Sequence, residues 1–305
     1  MSTIIDVKNL TKKYGDLTAV DAISFSVNSG ETFGILGPNG AGKTTTLEMI
    51  EGLKGITSGQ VLLDGINVHE RPRDVKAIIG VQLQSSSFFD GLSLKELLET
   101  FGALYGRRVD AMSLLEKVQL VEKAKSQVKE LSGGQKQRLS IAVGLVNDPK
   151  VLFLDEPTTG LDPQARRNLW DLITSIKKSG TTVVLTTHYM EEAEVLCDRV
   201  AIMDHAKIMK LDTPTNLLRN SGVDSTIEFH VDKKCAVDHF KALAGVAQAT
   251  EEDHTFRLIS TNPEETLPAL FAHEKEHGFN IFNLQLRQAT LEDVFLKLTG
   301  RSLRE

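Results

Sequence analysis

Eight residues, Gly37-Pro38-Asn39-Gly40-Ala41-Gly42-Lys43-Thr44, constrain this chain more than any other stretch. They have the GxxxxGK[ST] spacing, follow the apolar run Phe33-Gly34-Ile35-Leu36 and precede a helix-like stretch from Thr44 to about Ile50. Strand, glycine-rich loop and helix in that order make a cradle for phosphate. Glycines let successive backbone N–H groups turn toward the anion, and the helix N-terminus adds a favourable dipole. Lys43 is long enough to reach terminal phosphates, and Thr44 offers a hydroxyl to magnesium. The loop predicts a nucleoside triphosphate site inside an α/β fold.

Further along, Leu131-Ser132-Gly133-Gly134-Gln135 puts a serine hydroxyl and two glycine N–H groups at the start of an amphipathic run ending near Val146. An oxyanion fits such a helix start. Two anion-gripping elements in one chain suggest a nucleotide held between two copies.

The chain of 305 residues has room for about two domains. Its 41% hydrophobic and 25% charged content is that of a globular protein, and no run approaches the ~18 apolar residues of a membrane span. The start Met1-Ser2-Thr3-Ile4-Ile5-Asp6 has neither a basic segment nor an apolar core, so a cytoplasmic location is expected. Cys197 and Cys235 lack metal or disulfide spacing. A net charge of -6 argues against a nucleic-acid partner.

From Ile4 to about Asp212, apolar strand-like runs alternate with amphipathic stretches, an α/β pattern. Strands are expected at Ile23 to Val27, Thr32 to Leu36, Val61 to Asp64, Ile78 to Leu83, Val151 to Leu154, Thr182 to Thr186 and Val200 to Met203. Between about 91 and 149 the spacing is helical, at Leu94 to Leu104, Ala111 to Leu120 and Gln135 to Val146. The expectation is a mixed sheet core with an inserted helical subdomain, occupying residues 1–220. A boundary near 220 then opens a small α+β domain over 221–305. Its order is strand from Ser225, helix (Ala236 to Ala242), strands near Val246 and at Thr255, helix (Glu264 to His277), strand from Ile281 and a last helix from Leu291, which resembles a ferredoxin-like split βαβ unit.

Val151-Leu152-Phe153-Leu154-Asp155-Glu156 reads as a buried parallel strand delivering two carboxylates to its carboxyl end, where ligands of open α/β sheets gather. Asp155 is placed for the magnesium shell and Glu156 for the attacking water as general base. The strand Thr182 to Thr187 brings His188 to the same edge as Glu156, where an imidazole contacts phosphate and fixes the water. Gln84, with Gln82 as its competitor, offers an amide oxygen to the metal.

In this order, Gly37 to Thr44, Leu131 to Gln135, Val151 to Glu156, Leu161-Asp162 and His188 resemble an ATP-binding cassette (ABC) protein, over roughly residues 1 to 220. The resemblance implies a P-loop cassette that binds and hydrolyses ATP with Mg²⁺. It implies that Tyr14 stacks on adenine and that Gly37, Pro38, Asn39, Gly40, Ala41, Gly42, Lys43, Thr44 and Thr45 hold the phosphates. Thr44, Gln84 and Asp155 would serve the metal, while Glu156, His188 and Lys43 carry the chemistry. Ser132, Gly133, Gly134 and Gln135 would meet the γ-phosphate held by a second copy, and Asp162 would make contacts across that dimer. Thr159 stands where the family often has serine. Such cassettes usually drive a membrane permease, here a separate polypeptide, touched by the segment from Ser85 to Lys95. The tail from Ala289 to Arg301 resembles exporter ATPases of the multidrug and antibiotic-resistance type. A nutrient-importer ATPase and a non-hydrolytic ATP-binding regulator are the alternatives. Long heptads of a chromosome-type ATPase and the two cassettes of a translation factor are both missing from the sequence.

Overall fold

The computed structural model describes residues 2–82, 88–89, 91–220, 222, 224–233, 235–252, 255–287 and 289–299. Apolar side chains alternate along Thr3–Tyr14 (β1) and Leu17–Asn28 (β2), and the buried faces combine Ile5, Val7 and Leu10 with Val20, Ile23 and Val27. That alternation suits an antiparallel sheet with one dry face. It pairs as β2-β1-β4-β5, completed by Ser58–Leu63 (β4) and Ile66–Asn67 (β5).

Thr32–Leu36 (β3), Val151–Asp155 (β7) and Thr182–Thr187 (β8) are instead buried at every position, as befits strands covered on both faces. With Ile79–Gln82 (β6), Arg199–Asp204 (β9) and Lys207–Asp212 (β10) they form a six-stranded sheet of order β10-β9-β3-β8-β7-β6. It is parallel except for β10, which runs antiparallel to β9. The two sheets share one apolar core, in which the rings of Phe25 and Phe33 stack at 5.2 Å.

Helices connect the parallel strands. Lys43–Ile50 (α1) follows β3, and Pro72–Lys76 (α2) precedes β6. Leu94–Leu104 (α3), Ala111–Lys117 (α4) and Gly133–Gly144 (α5) pack together between β6 and β7, with no strand among the described residues of that insertion. Pro163–Lys178 (α6) and Met190–Leu196 (α7) flank β8, and Pro214–Arg219 (α8) follows β10. No helix among the described residues is long and apolar enough to cross a membrane.

The chain divides into two compact units, residues up to Pro214 and those from Thr215 onward. The second contains Ser225–Val231 (β11), Asp238–Lys241 (α9), Val246–Glu252 (β12), Thr255–Ser260 (β13), Pro263–His277 (α10), Ile281–Arg287 (β14) and Leu291–Thr299 (α11). Its antiparallel sheet has the order β12-β13-β11-β14, the split βαβ arrangement, around Ile227, Phe229, Phe240, Phe256, Leu258 and Leu270. Helix α9 is shorter than the span Ala236 to Ala242, and no side chain caps its start. The single α/β alternation expected from the sequence resolves into two sheets, because β1, β2, β4 and β5 pair only with one another.

Candidate nucleotide site

The chain leaves β3 at Leu36 and enters α1 at Lys43 through a loop that only glycine can form in places. Gly42 has φ 101°, and a Cβ there would lie 2.4 Å from the carbonyl oxygen of Ala19. A Cβ on Gly37 would lie 2.3 Å from that of Met203. Gly42 is also the N-cap of α1 and supplies no side-chain cap, so the first-turn N–H groups of Lys43, Thr44 and Thr45 keep their donor capacity for an anion. Lys43 is buried, with Nζ 2.9 Å from the carbonyl of Gly37, 3.1 Å from that of Pro38 and 3.2 Å from Oε1 of Glu156. Burial draws the ammonium below its ordinary pKa, and Glu156 and Asp155 offset part of that.

Asp155 and Glu156 arrive at the carboxyl end of β7. Oδ1 of Asp155 accepts hydrogen bonds from Thr44 Oγ1 at 3.2 Å and from Thr186 Oγ1. Burial raises the Asp155 carboxyl above its ordinary range, against the pull of those two hydroxyls. Glu156 sits at φ 46°, a conformation rare outside glycine and concentrated at functional sites. Its N–H donates to the Thr186 carbonyl at 3.2 Å and lies 3.0 Å from the Thr186 hydroxyl. Two groups from other positions hold its carboxylate, Lys43 Nζ on Oε1 and Thr159 Oγ1 at 3.2 Å from Oε2, while His188 Nδ1 lies 3.2 Å from Oε2 without making a hydrogen bond. Burial pushes Glu156 upward, but Lys43 and then His188 outweigh it, so the group is held below the usual carboxylate pKa.

These residues open onto one cleft of about 720 Å³, lined among others by Tyr14, Asn39, Gly40, Gly42, Lys43, Thr44, Thr45, Glu156, Thr159 and His188. Tyr14, at the end of β1, is 43% exposed there, with Lys12 Nζ 4.9 Å from its ring centroid. Ser132, Gly133, Gly134, Gln135 and Asp162 line a different cleft of about 360 Å³ that shares no lining residue with the first. Ser132 caps α5, its hydroxyl accepting from Gln135 N at 3.4 Å while its N–H donates to Gln135 Oε1 at 2.9 Å. Asp162 caps α6, accepting from Ala165 N at 2.8 Å. Gln84 lies outside the described residues, as do residues 85–87 and 90 of the segment from Ser85 to Lys95, while its competitor Gln82 is buried at the end of β6. Sequence reasoning passed over Thr186, which joins Asp155 to the backbone of Glu156. Its position opposite Asp155 in the β7–β8 register was the available signal.

Residues 20–159 match the protein family described as ABC transporter. Over 99% of its length the chain is 36% identical to the linearmycin resistance ATP-binding protein of Bacillus subtilis, covering 100% of that protein. It is 40% identical to a Nod factor export ATP-binding protein I of Burkholderia orbicola, covering 99% of this chain and 98% of that one. The chain belongs to the ABC transporter ATPases. Among solved structures, cbiO1 from Clostridium perfringens, part of the cbiONQ ABC transporter complex, matches with a TM-score of 0.65 and 28% identity, over 71% of this chain and 91% of that one. A dimeric ATP-binding cassette in a post-hydrolysis state, bound to ADP and Pi, matches with a TM-score of 0.62 and 27% identity, over 68% of this chain and 98% of that one. As an ABC ATPase, this chain binds ATP and hydrolyses it. The donors beside the loop suit the hard cation that accompanies ATP, since the Thr44 hydroxyl and the Asp155 carboxylate are adjacent oxygen groups of the kind such a cation takes.

Proposed function

We propose that two copies of this chain close head to tail on two ATP molecules and that hydrolysis reopens them, driving a separate membrane permease. The observation that carries this reading is the separation of the two clefts. Lys43 and Ser132 open onto different clefts of one copy, so in this reading a second copy brings the Ser132 helix start to a γ-phosphate held by the Lys43 loop. The γ-phosphate is then removable glue, and its loss switches the dimer from closed to open.

In this reading Tyr14 stacks on adenine, and the loop from Gly37 through Thr45 holds the phosphates. Thr44, Asp155 and Gln84 hold Mg²⁺, which when bound neutralises phosphate charge. Glu156 takes the proton of the attacking water, for which it must be ionised; Lys43 and His188 keep it so. Thr159 fixes the carboxylate's position, with His188 beside it. Asp162, with one oxygen committed to the α6 cap, has the other for the opposing copy.

The direction is export of a drug, antibiotic or other hydrophobic compound, supported by relatives named for linearmycin resistance and Nod factor export. The dimer would then sit on the cytoplasmic face of the membrane through its permease. Glu156→Gln is expected to lose ATP turnover, keep ATP binding and accumulate as a dimer with Mg-ATP, read by light scattering. A variant that stays monomeric with Mg-ATP refutes the sandwich. Recovery of an integral-membrane partner with the tagged chain, followed by an efflux assay of the reconstituted pair, tests the transport half.

A further inference from the structure

The C-terminal unit gathers three imidazoles that the ATPase does not use. His273 and His277 stand one turn apart on α10, and His239 of α9 lies against both. Ring centroids are 3.9 Å apart for His273 and His277, 5.7 Å for His239 and His277, and 5.9 Å for His239 and His273. One ring nitrogen from each lies within 4.8 Å of the other two. The run His273-Glu274-Lys275-Glu276-His277 has the HExxH spacing that turns two imidazoles toward one ion. Glu274 is not a free base here, because its Oε1 accepts the N–H of Ile281 at 2.7 Å.

The surroundings favour coordination over simple packing. His273 is wedged against Phe240 and Phe279, and its Nε2 is buried with no hydrogen-bond partner among the described residues. A polar nitrogen in that position calls for a ligand. His277 Nδ1 is 3.1 Å from the His273 carbonyl oxygen, and a proton donated there leaves the Nε2 lone pair for a metal, the usual outer arrangement of a ligating histidine. His239 and His277 are exposed, and His239 can rotate inward. Zinc–nitrogen bonds of ~2.1 Å in a tetrahedron set the nitrogens about 3.4 Å apart, a closure that side-chain rotation supplies.

We propose that His239, His273 and His277 bind a divalent first-row transition ion, Zn²⁺ in the first instance, with water in the fourth position. An all-imidazole donor set selects zinc, nickel or copper, whereas the oxygen donors Thr44 and Asp155 suit magnesium, so Mg²⁺ does not compete for the imidazoles. The ion would tie the four-residue α9 to α10 and stiffen this unit.

The test uses the full chain with its purification tag removed, stripped with chelator and saturated with Mg-ADP to occupy the nucleotide cleft. Calorimetric titration with Zn²⁺ is expected to find one ion per chain, and Co²⁺ in its place to give the intense visible absorption of a tetrahedral site. His239→Ala, at an exposed position, and His277→Ala are each expected to weaken Zn²⁺ binding by at least about tenfold with unchanged circular dichroism. Equal Zn²⁺ affinity in the parent and His239→Ala, or no ion bound by the parent, overturns the proposal.

Discussion

Nζ of Lys43 stands 3.2 Å from Oε1 of Glu156, with both side chains buried, so the cation proposed to grip phosphate is paired with the carboxylate proposed to activate water. An ammonium already bonded to a carboxylate gains less from a phosphate. Glu156→Gln is therefore expected to tighten ATP binding by roughly threefold to tenfold, about 1 kcal/mol, while Lys43→Ala abolishes it. Titration of a fluorescent ATP analogue at fixed salt measures both, and unchanged or weaker binding by Glu156→Gln removes the competition.

Thr159 donates its hydroxyl to Oε2 of Glu156 at 3.2 Å, at a position where serine is common in the family. The contact needs only the hydroxyl. Thr159→Ser is expected to keep turnover within about twofold, and Thr159→Val to lower kcat on the order of tenfold, the usual worth of a hydrogen bond to a charged group. Steady-state phosphate release decides it, and parental turnover in Thr159→Val takes Thr159 out of the site.

Much of this site was legible because its chemistry is local in sequence. A phosphate cradle needs Gly40, Gly42 and Lys43 in one loop, and a fully apolar run such as Val151 to Leu154 ends where its carboxylates emerge. The convergence of Glu156 and His188 followed from parallel register, which sets Asp155 opposite Thr186. What depends on pairing between distant segments was not legible. Alternation along β1 and β2 says that one face is dry, but not that these strands close their own sheet with β4. That the Ser132 motif stands apart from the loop was expected from two anion-gripping elements in one chain, but the cleft it lines depends on how α5 and α6 pack. In the second unit the element order was readable, whereas the meeting of His239 with His273 and His277 rests on how α9 lies against α10.

Gly80 of β6 passes under α5 so closely that a Cβ would fall 1.9 Å from the carbonyl oxygen of Gly144. Backbone cannot yield as a flexible side chain can. Gly80→Ala is expected to cost at least about 3 kcal/mol and to lower Tm by about 6 to 12 °C, because it prises the helical insertion from the sheet. Differential scanning calorimetry reads the shift, and a change under about 2 °C contradicts the close approach.

Glu51, just beyond α1, is buried, and neither carboxylate oxygen has a hydrogen-bond partner among the described residues. Burial, then Asp155 and Glu48, push its carboxyl from 4.5 to about 8. Between those values the folded chain keeps a proton that the unfolded chain releases. The group's contribution to stability is therefore whole below pH 4.5 and is lost as pH rises toward 8, a span on the order of 5 kcal/mol. Glu51→Gln removes the titration but leaves a buried amide, which itself costs about 1 to 3 kcal/mol. The variant is expected to be more stable than the parent at pH 8, by about 2 kcal/mol or 4 to 8 °C in Tm. At pH 5 the advantage disappears or reverses, because the folded parent is neutral and ionisation of the unfolded chain has by then cost less than about 1 kcal/mol. Thermal unfolding across this range separates the effect from ordinary repacking: a gap that stays constant with pH has no carboxyl titration behind it.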